Sequence, residues 1–404
     1  MRSITVVGAG FSGLSLAYHL RKEGFGVSVV EKQSRVGGLI STERTEWGLV
    51  ESAATSLLAD QSVENLFNDL GIEFAERKPE RRKRYVYWER PRRWPLSAGS
   101  SVRLAAQMAR LALGDPKVFP GAGESVKAWA VRVVNSEFEA RLLAPMLQGI
   151  YAGETGRMSA SLSLSSLLGE RLPKGRHKGS VAPTGGMGEL MHALYKRLRA
   201  DGVEFQLKSS FTMPEYLTQP HVLCTSAWHA ADLLNVTHPQ IAAQLRNCES
   251  VPLIGVTCFF RSSGAELDGF GCLFPEAQGF SALGVLFPSC IFEGRSELRS
   301  EMWILGGARK GGDLLALSDE QLLEAIRHDR QRLLPRSTLP PVGWKIIRWP
   351  RAIPYYTLEW ERVLKSMDVP PPLFLHGNYL GQIGLARIHH RSRELALKLK
   401  DMYG

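Results

Sequence analysis

The run Gly8-Ala9-Gly10-Phe11-Ser12-Gly13 restricts this chain more than any other stretch. It follows the β-branched Ile4-Thr5-Val6-Val7 and leads into Leu14-Ser15-Leu16-Ala17-Tyr18-His19-Leu20, which is apolar at helical spacing. A second apolar run, Val27-Ser28-Val29-Val30, then ends on Glu31. Strand, glycine turn, helix, strand and acid is the order that a dinucleotide-binding βαβ unit requires. Gly8 permits the tight turn, Gly10 lets the backbone approach a pyrophosphate, and Gly13 lets the helix sit close on the strand. The helix N-terminus, opened by Phe11 and Ser12, offers amide N–H groups and the positive end of its dipole to that pyrophosphate. Glu31 stands where a carboxylate accepts hydrogen bonds from ribose hydroxyls.

A related pattern closes the chain. Leu373-Phe374-Leu375 reads as a strand, His376-Gly377-Asn378-Tyr379-Leu380-Gly381-Gln382-Ile383-Gly384-Leu385 as a glycine-rich turn, and residues 386–399 as a basic helix. Two strand-turn-helix units at opposite ends imply one cofactor domain assembled from both termini. Between them, residues 188–198 read as an amphipathic helix, and residues 203–207 and 222–225 as strands of the same domain. Residues 254–260, 282–287 and 302–305 alternate with turn residues, as an inserted antiparallel sheet does. Ser318, followed by Glu320 and Gln321, is an N-cap for a helix reaching residue 333. Helices between residues 102 and 135 are expected to pack on one another.

Composition sets the wider bounds. A chain of 404 residues exceeds one compact core, and 44% hydrophobic residues exclude disorder. The five cysteines are odd in number and form no C-x-x-C, so neither a disulfide framework nor a zinc site is expected. Residues 1–7 read as a strand rather than a leader, and no apolar run is long enough to span a membrane. A cytoplasmic chain, soluble or peripheral to the membrane, is the expectation. The net charge of +10 is concentrated between residues 77 and 93, where nine basic residues face only Glu80 and Glu89. A solvated face, an acidic ligand, an anionic membrane and nucleic acid all fit such a run. Peripheral membrane contact is the functional reading we favour, and nucleic acid is disfavoured because no nucleic-acid motif accompanies the charge. Nothing in the sequence sets an oligomeric state.

After Glu31 come Lys32 and then Arg35-Val36-Gly37-Gly38-Leu39. This Glu-x-x-x-Arg-x-Gly-Gly extension resembles the flavoprotein version of the fold rather than the nicotinamide version, and so implies FAD. Further segments occur in matching order: Gln148-Gly149-Ile150-Tyr151-Ala152-Gly153-Glu154, Gly269-Phe270-Gly271-Cys272-Leu273-Phe274-Pro275, Leu283-Gly284-Val285, Gly306-Gly307-Ala308-Arg309, and Trp349-Pro350-Arg351-Ala352-Ile353-Pro354-Tyr355-Tyr356. Together they resemble the protoporphyrinogen oxidase family, within the flavin amine oxidase superfamily, over most of the chain.

The resemblance implies an α/β fold: a Rossmann-like FAD-binding domain (residues 1–50, 150–235 and 361–404), an inserted α+β substrate domain (236–360), and a helical region for membrane contact and substrate access (51–149). It implies that a porphyrinogen loses six electrons to flavin in three rounds, with dioxygen as acceptor. No catalytic side chain or metal is then required. The residues it marks for the cofactor, besides Gly8 to Gly13, Glu31, Lys32, Arg35, Gly38 and Leu39, are Ala53, Ala54, Thr55, Ser56, Phe211, Gly377, Asn378, Ile383, Gly384 and Leu385. For the substrate it marks Arg84, which aligns with a propionate-binding arginine, together with Gly149, Phe259, Phe270, Leu283 and Phe287. The chain departs from the family at Ala53-Ala54, which replaces Gly-Pro, and at Ala386-Arg387, which replaces Asn-Asp. The alternatives are another flavin oxidase, such as an amine oxidase or desaturase, and a homologue that binds FAD or porphyrin without turning it over.

Overall fold

The computed structural model describes residues 3–168 and 172–404. Five parallel strands form the first sheet, in the order Leu373–Leu375, His221–Leu223, Ser3–Val7, Gly26–Glu31 and Glu204–Leu207. Start, middle and end of the chain therefore share one sheet, as the two glycine turns led us to expect. Ile4, Val6, Val29 and Val222 are fully buried in it, the burial on both faces that parallel sheets show. The helices Phe11–Lys22, Met187–Ala200 and Leu385–Tyr403 pack together against this sheet, sharing one hydrophobic core with it.

The second sheet has seven strands, in the order Gly343–Pro354, Ser250–Phe260, Arg299–Gly306, Ala282–Leu286, Gly271–Leu273, Arg84–Trp88 and Arg90–Arg92. All neighbours run antiparallel except Gly271–Leu273 with Arg84–Trp88. The last two strands correct the helical reading of residues 51–149. Arg84-Tyr85-Val86-Tyr87-Trp88 is rich in aromatic and β-branched residues, and their preference for a pleated surface outweighs the surrounding charge. One face of this sheet is covered by the helix Asp319–Leu333, whose Leu322, Ile326 and Leu333 pack with Val256, Phe260, Trp303 and Leu305. Ser318 caps that helix in a full capping box with Gln321.

A third core gathers Trp129, Ala130, Val133 and Leu147 from the helices Val126–Val133 and Ala144–Tyr151. The neighbouring helix Ala98–Ala112 packs on this core through the partly buried Leu104 and Leu111, with Ser100 buried and Val102 left 71% exposed. Among the described residues no helix is long and apolar enough to cross a membrane.

Candidate active site

Both glycine turns lie at the C-terminal ends of the parallel strands, where open α/β sheets bind ligands. Gly8 has φ +105°, and a Cβ there would meet the Cys224 carbonyl at 3.0 Å. A Cβ on Gly13 would lie 1.9 Å from the Gly8 carbonyl oxygen, so helix and turn touch through glycine alone. Gly10 is different: the nearest atom to an added Cβ is Gly38 Cα at 3.9 Å. Its glycine is a matter of approach from outside, as a pyrophosphate requires. The Gly37 N–H donates to the Ala9 carbonyl (2.8 Å), and Arg35 Nη2 donates to the Gly38 carbonyl (2.8 Å), so the Arg-x-Gly-Gly segment is folded onto the first turn.

The Glu31 carboxylate is buried and accepts the N–H of Ala9 and of Gln33, each at 2.8 Å. Each oxygen keeps lone pairs for a hydroxyl donor. Lys32 Nζ instead reaches His229 Nε2 at 2.8 Å. Phe11 is buried in the core, whereas Ser12 is half-buried. Phe211 follows Ser209, whose N–H donates to the Glu31 carbonyl, but its ring turns to His221 at the beginning of a strand, away from the glycine turns (centroids 5.7 Å).

The second turn stands beside the first. A Cβ on Gly377 would come within 3.3 Å of the Thr225 carbonyl, one residue past the Cys224 that crowds Gly8. Tyr356 Oη donates to the Asn378 carbonyl, and Trp360 Nε1 to that of Tyr379 (2.7 Å), which fix the turn. Ile383 and Leu385 are half-buried and Gly384 is exposed.

Three long helices begin on glycine: Gly10, Gly186 and Gly384 are their N-cap residues. The helices after Gly10 and Gly384 have no side-chain cap. The one after Gly186 is satisfied from within. Glu51 Oε1 accepts the Met187 N–H (2.9 Å), and Thr42 Oγ1 accepts that of Gly188 (2.8 Å). Two positive helix ends are thus left for an anionic cofactor, and the third is closed by the protein's own carboxylate.

The two sheets meet at Ser52. Its hydroxyl donates to the Leu39 carbonyl (2.6 Å), and its carbonyl accepts Trp349 Nε1 (2.8 Å) from the seven-stranded sheet. The half-buried Ala53, Ala54, Thr55 and Ser56 follow directly. Strand register assigns Trp349 to the sheet face not covered by the helix Asp319–Leu333. One row on that face reads Leu273, Gly284, Ile304, Gly255 and Ile347; the next reads Arg84, Gly271, Leu286, Met302, Thr257 and Lys345. Leu273, Leu286, Ile304, Ile347 and Trp349 are only half-buried. Gly255 and Gly284 add no side chain to this face, and one of its rows ends on Arg84 and on Lys345, which is paired with Glu43.

Arg84 lies at the sheet edge with its guanidinium 4.4 Å from the centre of the Phe270 ring, and a Cβ on Gly149 would come within 2.9 Å of Leu273. Leu283 lines a small cavity of about 50 Å³ with Gln148, Gly307 and Arg309, which has no room for a large ring system. Phe259 and Phe287 are fully buried, against Trp47 and under the Arg299 guanidinium respectively, and neither offers a ring to a ligand. Sequence reasoning missed Leu286, Ile304, Ile347 and Trp349. Alternation within their strands marks each as sharing a face, but only the register between strands shows which face stays open.

These features define a class: a dinucleotide-binding protein in which a parallel cofactor sheet abuts an antiparallel sheet. The particular family follows from comparison, since residues 11–390 match the flavin-containing amine oxidoreductases. The chain belongs to that family, and it is an FAD-dependent oxidoreductase. It is 26% identical to chloroplastic protoporphyrinogen oxidase of Nicotiana tabacum, covering 97% of this chain and 84% of that one. It is 25% identical to coproporphyrinogen III oxidase of Propionibacterium freudenreichii, covering 95% and 88%. The fold is similar to that of cyclohexylamine oxidase from Brevibacterium oxydans (TM-score 0.73, 16% identity, 99% of each chain). It is as similar to that of reduced UDP-galactopyranose mutase (TM-score 0.73, 12% identity, 100% and 94%). FAD fits the residues present: the open approach over Gly10, two uncapped helix ends, and spare acceptor capacity on a buried Glu31 are what a nucleotide pyrophosphate and its ribose need.

Proposed function

We propose that this enzyme oxidises a porphyrinogen, protoporphyrinogen IX or coproporphyrinogen III, to the porphyrin in haem biosynthesis. The observation that carries the reading is the near full-length similarity to one relative named for each substrate. The whole conversion removes six electrons and six protons, and three molecules of dioxygen take them up as hydrogen peroxide. Bound FAD supplies the chemistry, accepting two electrons in each of three rounds.

The protein's part is position and dryness. Gly8 to Gly13, Glu31, Arg35, Gly38 and the turn from Gly377 to Leu385 hold the cofactor. Residues 53–56 and Trp349 lie where its ring meets the apolar face. Leu273, Leu286, Ile304 and Ile347 receive the apolar macrocycle and exclude water, and Arg84 pairs a propionate, stiffened by its stacking on Phe270. Of the two cations that end one row, Lys345 is paired with Glu43 (2.9 Å), whereas Arg84 makes no ion pair among the described residues and is the group left for a substrate carboxylate.

Incubating the FAD-loaded protein with each porphyrinogen in air, and following porphyrin fluorescence, tests the proposal. A rise well above the spontaneous rate is expected with at least one of them. The spontaneous rate with both would refute the reading and leave the amine oxidase, desaturase and non-catalytic alternatives.

We further propose that a cytoplasmic enzyme touches the membrane through its basic run. Arg81, Arg82, Lys83 and Arg93 make no ion pair among the described residues. The adjoining helix Ala98–Ala112 contains no acid and exposes Val102 and Met108. At about 1 kcal/mol per cation near an anionic leaflet, these suffice for reversible binding. Co-sedimentation with vesicles that ignores their anionic lipid content would count against it.

A further inference from the structure

The buried pair Glu51 and Arg295 belongs to neither glycine motif, yet it sits where the two sheets join. Arg295 Nη1 lies 3.7 Å from Glu51 Oε1, with 3% and 7% of the two side chains exposed. Arg295 Nη2 donates to the Pro183 carbonyl (3.1 Å), while Nη1 is buried with no hydrogen-bond partner. The Glu51 carboxylate, besides capping the helix Met187–Ala200, accepts the Thr42 hydroxyl at 2.7 Å. The backbone repeats the connection. Leu49 N–H donates to the Arg295 carbonyl (2.8 Å), Ser296 Oγ donates to the Trp47 carbonyl (2.6 Å), and a Cβ on Gly48 would stand 2.5 Å from the Arg295 carbonyl.

The hairpin of Thr42–Thr45 and Gly48–Glu51 is thus clamped between a helix of the cofactor core and a loop of the seven-stranded sheet. Its next residues are Ser52, held by Trp349, and Ala53 to Ser56. A buried guanidinium with one orphaned nitrogen is costly on stability grounds alone. Its position at the one covalent lead into that turn gives it a different use.

We infer that Glu51 and Arg295 are positioning residues, which fix the turn of residues 53–56 against the bound flavin by locking the Thr42–Glu51 hairpin between the two sheets. This rests on the proposed placement of that turn beside the cofactor ring. Neither residue touches the cofactor. They act through Ser52, so their loss should loosen the flavin's surroundings without removing a ligand.

The test compares Glu51→Gln, Arg295→Met and Arg295→Lys with Arg330→Met, which breaks another buried pair (Arg330 Nε to Glu301 Oε2, 3.0 Å) on the covered side of the sheet. FAD dissociation constant, visible circular dichroism of the bound flavin and melting temperature are measured for each. Glu51→Gln and Arg295→Met should weaken FAD by roughly tenfold and change the visible dichroism, with partial rescue in Arg295→Lys. Arg330→Met should lower only the melting temperature. If Arg295→Met fails to fold, Glu51→Gln, which keeps an acceptor for Met187, carries the test. Wild-type affinity and dichroism in the variants, with lowered melting temperature alone, would overturn the inference. Ala54→Leu separates the two readings: it should alter the dichroism directly, and an unchanged spectrum there would overturn the placement of the turn itself.

Discussion

Acid should unfold this enzyme through three histidines that pack behind the cofactor sheet. His19 on the first helix and His389 on the last lie with ring nitrogens 3.4 Å apart, and His389 Nδ1 is 2.8 Å from Ser15 Oγ. His376, after the edge strand, has its Nε2 2.9 Å from Ser392 Oγ. Burial lowers all three, His19 to about 2, with His389 adding repulsion, His376 to about 3, and His389 to about 4. A histidine neutral in the folded state and near 6.5 in the unfolded chain contributes stability above that pH and loses it as pH falls. At pH 5 the unfolded histidine is almost fully protonated and the folded one is not. Each then costs about 2 kcal/mol relative to pH 7, and the three together about 6 kcal/mol. Glu51 has the opposite sign, because burial raises its carboxyl and acid therefore relieves it, which trims that sum. Such a loss rivals the whole stability of an ordinary domain. Urea unfolding of the FAD-loaded protein, followed by far-ultraviolet circular dichroism at pH 7, 6 and 5, measures it. His376→Gln should reduce the pH dependence by about a third. A free energy that stays level from pH 7 to 5, or an unaltered slope in His376→Gln, would refute the reasoning.

Other consequences are as direct. Gly13→Ala, whose Cβ would stand 1.9 Å from the Gly8 carbonyl oxygen, should cost about 3 kcal/mol of stability and weaken FAD severely, read by melting and by flavin titration. Arg84→Ala should raise KM about tenfold in the porphyrin fluorescence assay and leave the flavin spectrum unchanged, since the exposed guanidinium stacks on Phe270 and belongs to neither glycine turn. Ser318→Ala removes the acceptor for the Gln321 N–H and should cost about 1 kcal/mol in urea unfolding, with FAD affinity intact.

The parts of the fold legible in the sequence are those decided by local sterics. Gly8, Gly13 and Gly377 are glycines because backbone or ring atoms stand where a Cβ would go. The strand Leu373–Leu375 and the Ser318 cap were readable for the same local reason. The strand Arg84–Trp88 was hidden because its charges dominate composition while its aromatic residues decide pairing. The proposed substrate face was hidden more deeply. Phe259 and Phe287 attract notice as large apolar residues, but size says nothing of which face a strand residue takes or what covers it. Phe259 is covered by Trp47 and Gly48, which are far from it in sequence. The row Leu273, Gly284, Ile304, Gly255 and Ile347 exists only once four separate strand pairings are made.

That row also bears on how one fold serves different reactions. Oxidase and mutase structures share it at TM-score 0.73 with identities of 16% and 12%, so the architecture alone does not choose a substrate. The cofactor end of this chain is built from glycines, backbone amides and one carboxylate, groups that answer to the nucleotide and not to what is oxidised. On the proposed function, discrimination comes from the sheet face that carries Leu273, Ile304 and Ile347 beside two glycines, with Arg84 at the end of a row. A substrate that is apolar and edged with carboxylates satisfies both features together. One lacking carboxylates would leave Arg84 stacked on Phe270 without a partner. The ratio of KM between Arg84→Ala and the native enzyme should therefore be large for a carboxylate-bearing macrocycle and near one for its methyl ester. Equal ratios for acid and ester would show that Arg84 serves the sheet edge and not the substrate.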